Sequence, residues 1–475
     1  MRMIGEKIRM KKVLGLVSTA LLAGSLIGGP VASASTHDAL MKKAQKMTMN
    51  DGYDDWEYIS EVEPNNSFKE ANSYINDDVM TGKLTDQDQD FYKFEVEADE
   101  PVSLSFGAGT DEEEPTMELW VDLYDENQKK ITPDYEEGEY GYYGGIEELE
   151  PGTYYFRVTD SANKNNNVDY YFSAFTYSND PIVMRIAGED RYETAVEIAK
   201  TGFEEGYTRH VVLATGQNFP DALAGAPLAY QYSAPILLTQ TKELPASVKE
   251  ALTYFGTEHV TILGGQTAVS KNVEKSLTKM GITFDRIEGK DRYETAAKIA
   301  KQIDPYFSDT AFVTYGGNFP DALSVASIAA AQGSPILLTK TKEIPAVTAK
   351  ALKNYNDTYV IGGTAVVSNT VFNKLPHPKR ISGENRYDTS VQVAKQLDTS
   401  GYAVNLATGE NFADALSGSV LAANFYEPVL LTRKNELPKE VKKLFMDKDT
   451  FFFTIFGGPN AISEDVEDEI WEMFE

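Results

Sequence analysis

The chain has 475 residues, which predicts two to four domains at roughly 100 to 200 residues each. Its 42% hydrophobic content is typical of globular protein, and its formal charge of −29 disfavours nucleic acid and anionic membrane as partners. Cysteine is absent, so disulfides, thiolate metal sites and cysteine nucleophiles are excluded. With four histidines, a three-histidine zinc site would use nearly all of them.

The first 34 residues have the pattern of a secretory signal peptide. Basic residues precede an uncharged run from Val13 to Gly29, and a small-residue box, Ala32-Ser33-Ala34, follows. An uncleaved membrane anchor is the alternative, which the shortness of the run disfavours. We expect a secreted chain that begins near Ser35. Because no sorting motif with a hydrophobic tail ends the sequence, we expect noncovalent retention at the cell.

Residues 35–60 show no periodic pattern and are predicted to be a linker, whereas residues 61–178 predict an antiparallel β-sandwich. Short aromatic or β-branched runs alternate there with turn signals. The predicted strands are Phe91–Val96, Val102–Phe106, Leu119–Tyr124 and Tyr154–Val158. The acidic residues concentrate in the same region, because 34 acidic and 7 basic residues lie between Asp51 and Asp180.

The sandwich opens with an acidic segment that suits a metal ion. Side chains at i and i+2 of an extended chain share a face, so Glu61, Glu63 and Asn65 form one row and Asp88 and Asp90 extend another. Ca²⁺ takes six to eight hard oxygen ligands, and these five residues are the candidates. A solvated acidic face is the alternative. No dinucleotide or P-loop spacing occurs, so no other cofactor is predicted.

The remainder of the chain is a threefold internal repeat, in which the first motif returns after 101 and then 94 residues. Four motifs recur in the same order in each copy. They are Arg-Ile-x-Gly-x-(Asp/Asn)-Arg-Tyr-(Glu/Asp)-Thr at 185–194, 286–295 and 380–389; Asn-Phe-x-Asp-Ala-Leu at 218–223, 318–323 and 411–416; Pro-(Ile/Val)-Leu-Leu-Thr at 235–239, 335–339 and 428–432; and Gly-Gly at 264–265, 362–363 and 457–458. A period this long predicts three tandem domains, at residues 183–284, 285–378 and 379–475.

Each repeat has the pattern of an α/β domain with a parallel sheet. Its apolar runs are continuous rather than alternating, as in strands that are buried on both faces. Helical stretches separate them and give a β-α order. In the first repeat the predicted strands and helices are 210–214, 235–238 and 259–263, and 192–201, 221–230, 246–254 and 270–280.

Two kinds of side chain in the repeats are candidate ligand contacts. Asn218, Asn318 and Asn411 follow a predicted strand at the carboxyl edge of the sheet, where ligands usually bind. Arg191, Arg292 and Arg386 precede a tyrosine at the start of a helix and could bind a carboxylate or phosphate through the guanidinium fork. The alternative for both sets is structural, as loop caps and internal ion pairs.

No catalytic constellation is recognised in the sequence. A serine triad needs a histidine held by a carboxylate, yet no histidine recurs in the repeats and the Gly-x-Ser-x-Gly pattern is absent. Paired carboxylates of the glycosidase kind stay open, because sequence cannot place two at the required separation. We therefore expect a protein that is not an enzyme.

The four repeat motifs closely resemble the cell-wall-binding repeat type 2 family of Gram-positive bacteria, over about 290 residues. The resemblance implies three Rossmann-like repeats that hold a surface protein noncovalently on anionic wall polymers of teichoic or teichuronic type. Carried over by position, the six arginines and asparagines above become candidate polymer contacts. The third copy departs from the motif at Asn385, in place of aspartate, and at Ala413, in place of proline.

Residues 61–178 resemble the bacterial pre-peptidase C-terminal domain, in the segments 61–68, 90–94 and 151–155. The resemblance implies a sandwich with Ca²⁺ near the acidic positions, although no peptidase domain accompanies it. Two function classes follow: a noncatalytic wall-bound surface protein, or a wall hydrolase of the N-acetylmuramoyl-L-alanine amidase type or a modifier of one. We favour the first, because the sandwich and the repeats account for every residue after Glu61.

Overall fold

The computed structural model describes residues 58–75, 78–85, 88–97, 101–110, 118–137, 142–161, 169–177, 181–304, 306–397, 399–448 and 450–474. They belong to two compact units, one that ends at Asn179 and one that begins at Asp180. The predicted signal peptide and the predicted linker up to residue 57 lie outside the described residues. The last three linker residues instead form the first strand, because their backbone pairs with a strand of the sandwich.

Two facing sheets build the first unit. Its strands are β1 Tyr58–Ser60, β2 Asn72–Tyr74, β3 Val79–Lys83, β4 Asp90–Val96, β5 Val102–Gly109, β6 Leu119–Asp125, β7 Lys130–Ile131, β8 Tyr135–Glu137, β9 Tyr142–Leu149, β10 Gly152–Asp160 and β11 Asp169–Tyr177. One sheet has the order β1-β3-β11-β5-β9-β8 and the other β2-β4-β10-β6-β7. The predicted sandwich is confirmed. Two pairs, β1 with β3 and β2 with β4, are parallel, and the other pairs are antiparallel.

The sandwich core follows from alternation along its strands. In β10, Tyr154, Phe156 and Val158 are buried and the residues between them are half-buried, as expected for a sheet with one face on the core. Phe156 lies within 5.1 Å of the Phe106 ring and 4.9 Å of the Phe172 ring, measured between centroids. The inner faces of the two sheets therefore meet through aromatic side chains.

The second unit contains three parallel sheets. Its strands are β12 Ile182–Ile186, β13 His210–Thr215, β14 Ile236–Thr239, β15 His259–Leu263, β16 Thr283–Ile287, β17 Thr310–Tyr315, β18 Ile336–Thr339, β19 Asp357–Ile361, β20 Pro378–Ile381, β21 Ala403–Thr408, β22 Val429–Thr432 and β23 Phe452–Phe456. The predicted α/β class is confirmed: the sheet orders are β14-β13-β15-β16, β18-β17-β19-β20 and β22-β21-β23-β12, with parallel pairing throughout.

Helices connect these strands. They are α1 Arg191–Gly202, α2 Gly225–Gln231, α3 Ala246–Tyr254, α4 Lys271–Lys279, α5 Arg292–Ala300, α6 Pro320–Ala331, α7 Ala346–Ala351, α8 Asn369–Phe372, α9 Arg386–Gln396, α10 Ala413–Asn424, α11 Lys439–Asp447 and α12 Glu464–Trp471. The helix predicted from residue 221 begins at Gly225, because i to i+3 hydrogen bonds hold residues 219–225 in turns. In the part of the chain that the structure covers, no helix is both long and apolar enough to cross a bilayer.

The sheets are offset from the sequence repeats by one strand. The Arg-Ile segment that opens the second repeat forms β16, the last strand of the first sheet, and that of the third repeat forms β20 in the second sheet. The segment that opens the first repeat, β12, completes the third sheet by pairing with β23. Each repeat therefore depends on its neighbour for a strand, and the third depends on the first.

The three helices that follow β13, β17 and β21 pack together at the centre of this unit. α2, α6 and α10 contact one another, and their buried residues belong to one continuous apolar core. α6 and α10 are apolar on almost every side, as expected for helices surrounded by protein. The loops before these helices, which carry the Asn-Phe motif, are thereby brought together.

The packing of α10 requires a glycine. A Cβ added at Gly418 would lie 2.2 Å from the ring of Phe456, which is fully buried at the end of β23. At the corresponding positions of the second repeat the chain has Val325 and Ile361, so a larger helix residue accompanies a smaller strand residue. In the third repeat the glycine thus leaves room for the larger ring.

We expect Gly418→Val to lower the free energy of unfolding by about 1–3 kcal/mol, because overpacking displaces Phe456. Adding Phe456→Ile should restore part of that loss by recreating the pair of the second repeat. Urea unfolding of both single variants and the double variant measures the coupling, for which about 0.5–3 kcal/mol is typical of residues in contact. Additive effects would contradict the packing argument.

Candidate functional site

The helix that starts with Arg-Tyr is fixed by the preceding residue of the motif. Asp190, Asp291 and Asn385 are the N-caps of α1, α5 and α9, and each side chain accepts hydrogen bonds from two backbone N–H groups of the first turn. Asn385 therefore does in the third repeat what aspartate does in the others, since both residue types are good N-caps.

The three candidate arginines are hydrogen-bonded to the loops that follow β13, β17 and β21. Arg191 donates from Nη1 to the carbonyl of Gly216 at 2.5 Å, and Arg292 and Arg386 donate in the same way to Gly316 and Gly409. These glycines are required by close approach: a Cβ at Gly216 would lie 2.7 Å from the ring of Tyr192. Each half-buried guanidinium thus has an internal partner, and its other N–H groups are the donors left for a ligand.

The Asn-Phe loops of the three repeats converge. The rings of Phe219, Phe319 and Phe412 form a triangle with centroid separations of 5.6, 6.0 and 6.4 Å. Arg292 lies over Phe219 and Arg386 over Phe319, at 5.6 and 5.8 Å, so an arginine of one repeat covers the phenylalanine of the preceding one. The sequence signal for this cluster was the phenylalanine present in all three motifs.

The candidate asparagines flank this phenylalanine triangle. Asn218 and Asn318 are exposed and Asn411 is half-buried. Each side-chain Oδ1 accepts a hydrogen bond from the N–H of the following phenylalanine, at 3.0, 3.0 and 2.8 Å. The turn fixes the oxygen, and the amide nitrogen is left as a donor to a ligand. The structure therefore brings the six predicted contact residues to one region, with the asparagines more exposed than the arginines.

An aspartate at each boundary between repeats was not predicted as a functional group. Asp221, Asp321 and Asp414 lie against the first glycine of the Gly-Gly motif, which has φ of +97°, +113° and +111°. Burial raises the pKa of Asp321 and of Asp414 to about 6, and the charges of Arg386 and Arg191 partly offset the rise. The third member, Asp221, accepts a hydrogen bond from Thr295 of the next repeat at 2.8 Å.

A second group of polar residues lies in the sandwich, between β1, β4 and β11. Carboxylate oxygens of Glu61, Glu63 and Asp90 lie within 4.8 Å of one another and could hold a metal ion. Asp90 accepts a hydrogen bond from Tyr170 at 2.5 Å, and Glu61 accepts one from Tyr92 at 3.2 Å. A Cβ at Gly82 would lie 2.5 Å from Glu61 Oε2, so the cluster needs a glycine beside it.

Two buried oxygens in this acidic cluster have no hydrogen-bond donor among the described residues. They are Asn65 Oδ1 and Asp90 Oδ1, on side chains with no exposed surface. Burial, together with the charges of Glu61 and Asp88, raises the pKa of Asp90 to about 8. Buried polar atoms are normally satisfied, and a hard cation would satisfy both.

The residues present therefore fit the predicted Ca²⁺ site through Glu61, Glu63, Asn65 and Asp90. Asp88, the fifth predicted ligand, is engaged locally: its Oδ2 accepts from the Thr85 N–H at 3.0 Å and its Oδ1 from the Gln89 N–H at 3.1 Å. Calcium sites use such carboxylates as well, and all five ligand roles stay predictions.

Comparison with known proteins identifies the repeats. The family named cell wall binding domain 2 (CWB2) matches residues 185–274, 286–372 and 380–467, more than half of the chain. The chain therefore belongs to the cell wall binding domain 2 family, and its second unit consists of three cell-wall-binding repeats. This class of protein is associated with the cell wall.

Two relatives from Bacillus subtilis (strain 168) share much of this sequence. The chain is 36% identical over 293 residues to "N-acetylmuramoyl-L-alanine amidase LytC", covering 61% of this chain and 58% of the relative. It is 33% identical over 309 residues to "Amidase enhancer", covering 64% of this chain and 42% of the relative. The chain thus spans less than two thirds of each relative.

Solved structures support the fold. Cwp6 and Cwp8 from Clostridium difficile match with TM-scores of 0.59 and 0.58, at 23% and 25% identity. The matches cover 79% and 78% of this chain and 66% and 63% of theirs. A collagenase pre-peptidase C-terminal domain from Bacillus anthracis matches 22% of the chain with a TM-score of 0.18, too low to support the assignment of the sandwich.

Because Arg292 is bonded to Gly316 and lies over Phe219, we expect Arg292→Ala to destabilise the repeats. Loss of a charged hydrogen bond typically costs about 1.5–3 kcal/mol. Urea unfolding measures the loss, with the exposed Arg209→Ala as the matched control. Unchanged stability combined with weaker wall binding would instead assign Arg292 to the ligand.

We expect Ca²⁺ to stabilise the protein through the acidic cluster. Binding to the folded state alone adds roughly 2.7 kcal/mol at a hundredfold excess over Kd. Because Asp90 must lose its proton to bind Ca²⁺, binding should release a proton and tighten as the pH rises towards 8. Calorimetric melting with millimolar CaCl₂ and with NaCl of equal ionic strength separates binding from screening.

The variant for that experiment is Glu63→Gln, which removes one ligand charge. Glu126→Gln, on an exposed turn of the same unit, removes the same charge outside the cluster and is the control. Equal melting temperatures in both salts for the wild-type protein would leave a solvated acidic face as the explanation.

Proposed function

We propose that this chain is a secreted, noncatalytic protein of the Gram-positive cell surface. Its three repeats hold it noncovalently on an anionic wall polymer of teichoic or teichuronic type, and its acidic sandwich binds Ca²⁺ and is displayed from the wall. The observation that carries this proposal is the convergence of the three Asn-Phe loops, with their arginines, in a chain of the cell wall binding domain 2 family.

The chemistry around the phenylalanine triangle supports a polyanion as the ligand. Three guanidiniums lie at this convergence, and each uses one N–H on a glycine carbonyl, out of five. The exposed amides of Asn218 and Asn318 add neutral donors at the rim. Repeating phosphates or carboxylates would meet equivalent donors in successive repeats, which strengthens binding through multivalency.

The alternative is a wall hydrolase or a modifier of one, which the printed names of the two Bacillus subtilis relatives favour. Those names describe longer proteins, of which this chain matches 58% and 42%. A hydrolase would lower the turbidity of a wall suspension. We propose that this chain leaves the turbidity unchanged, and a fall that scales with protein concentration would establish the alternative.

The proposal is tested by co-sedimentation of the full chain with purified Gram-positive walls. We expect binding to intact walls and its loss after acid extraction of their anionic polymers. A variant with Asn218, Asn318 and Asn411 all changed to Ala should bind at least about tenfold more weakly, a loss of about 1.4 kcal/mol. Undiminished binding to extracted walls would contradict the polymer assignment.

The control variant is Asn272→Ala, which removes an exposed asparagine from α4 in the same unit but outside the three loops. It should bind intact walls like the wild-type protein. Equal losses in the control and in the triple variant would show that the loops have no special part in wall binding.

A further inference from the structure

The three boundaries between repeats share one architecture but differ in charge. A cleft of about 1130 Å³ lies where the third repeat meets the first, lined by the start of α1, by α3, by the Asn411 loop and by residues 458–461. This volume slightly exceeds the range of roughly 300–1,000 Å³ that small-ligand pockets occupy. The cleft is therefore large enough for an extended ligand.

The cleft is strongly acidic. Seven acidic residues and two basic ones line it: Glu189, Asp190, Glu193, Glu197, Glu250, Glu410 and Asp414, with Arg191 and Lys200. Lys200 pairs with Glu197 at 2.8 Å, and Arg191, which donates to the Gly216 carbonyl, keeps its charge, so acidic groups remain in clear excess. A concave surface with an excess of negative charge focuses its field, so this cleft concentrates cations.

This boundary is more acidic than the one between the first and second repeats. Counting from the shared Arg-Tyr and Pro positions of the repeats, Glu189, Glu197 and Glu250 correspond to Lys290, Lys298 and Lys350 at the boundary between the first and second repeats. The same helices thus carry opposite charges at two equivalent surfaces. The fold accepts either sign at these positions, and the acid at the cleft is therefore not needed for packing.

A buried carboxylate supplies an independent sign of a ligand. Asp414 lines the cleft, is 8% exposed, and accepts no hydrogen bond from any described residue. Arg191 acts on it through its charge. Its counterpart at the first boundary, Asp221, has Thr295 as a donor, whereas Asp414, like Asp321 at the second boundary, has none among the described residues. A buried carboxylate without a donor is costly, and a ligand N–H or O–H would satisfy it.

A single metal ion does not fit the cleft. Among the described residues, the geometry of three clustered metal ligands is met by Glu61, Glu63 and Asp90 and by no acidic group of the cleft. The cleft carboxylates are instead spread over α1, α3 and α10 and over the loops that precede α1 and α10. Spaced carboxylates suit a ligand with spaced positive charges and several hydrogen-bond donors.

We propose that this cleft binds a glycan that carries free amino groups, with the ammonium groups facing the cleft carboxylates and one donor reaching Asp414. The inference rests on the proposed wall-binding function and adds a second ligand class to it. The polyanion would then bind around the phenylalanine triangle and the amino sugar in the cleft, and the two sites adjoin at Arg191 and Asn411, which line the cleft.

The test is calorimetric titration of the full chain with a matched pair of sugars. The first is a tetrasaccharide of β-1,4-linked glucosamine, and the second is its N-acetylated counterpart, which keeps the same ring skeleton but carries no charge. We expect the amino form to bind at least about tenfold more tightly, and its affinity to fall as salt is added. Equal affinities for the two sugars would overturn the proposal.

Two variants locate the site. Changing Glu189, Glu197 and Glu250 to lysine, as the second repeat has them, should reduce the affinity by about tenfold or more without unfolding the chain. Asp414→Asn should weaken it as well, whereas Asp321→Asn, at the corresponding aspartate of another boundary, should leave it unchanged. Unchanged affinity in the lysine variant would place the sugar elsewhere and overturn the assignment.

Wall co-sedimentation run on the same samples separates this inference from the proposed function. If neither sugar binds while the walls are still bound, the inference fails and the proposed function stands. If the amino sugar binds in the cleft while the walls are not bound, the proposed function fails and the cleft assignment stands as a property of the fold.

Discussion

The parallel pairing of β12 with β23 is the interaction on which the second unit depends. It joins the first strand of the repeat region to the last strand of the chain through backbone hydrogen bonds over five residue pairs. Because β16 and β20 are likewise contributed by the following repeat, no sheet is complete within its own repeat. With this pairing each of the three repeats contributes a strand to the sheet of another. The exchange holds α2, α6 and α10 against one another and brings the three Asn-Phe loops together.

The same exchange of strands explains why arginines and glycines that are present in all three copies of the motifs have a structural role. Arg185, Arg286 and Arg380 each donate to the carbonyl of the first glycine of the Gly-Gly motif, at 2.7, 2.5 and 2.6 Å, and so fix the exchanged strand to its sheet. The second arginine of the motif fixes the helix start to the glycine loop. Residues that every boundary needs for folding recur three times, and the difference between boundaries lies in the side chains around them.

Burial of acid is the common feature of both units. In the sandwich Asp90 has no exposed surface, and in the repeats burial raises the pKa of Asp321 and Asp414. A carboxylate that loses water must gain a partner or a proton, and the raised pKa values express that requirement. A chain of charge −29 thus concentrates part of its acid at places where a cation or a donor can bind.

The sequence by itself determined the fold class, the threefold repeat and the position of the acidic cluster. Continuous apolar runs such as Ile236–Thr239 indicate buried parallel strands, alternation in Gly152–Asp160 indicates a sandwich strand, and the i, i+2 spacing of Glu61 and Glu63 predicts that they lie together. These features depend on local periodicity, which a linear sequence contains.

The tertiary structure alone decided which strands pair, which repeat contacts which, and what each polar group meets. The pairing of β12 with β23 and the triangle of Phe219, Phe319 and Phe412 join residues that are about 90 or more positions apart. Whether Asp414 has a hydrogen-bond donor likewise depends on residues that are distant in the sequence. Motif spacing gives no distance across such separations. Whether an arginine binds a ligand or a glycine carbonyl depends on a backbone atom brought to it by packing, and the sequence does not contain that atom's position.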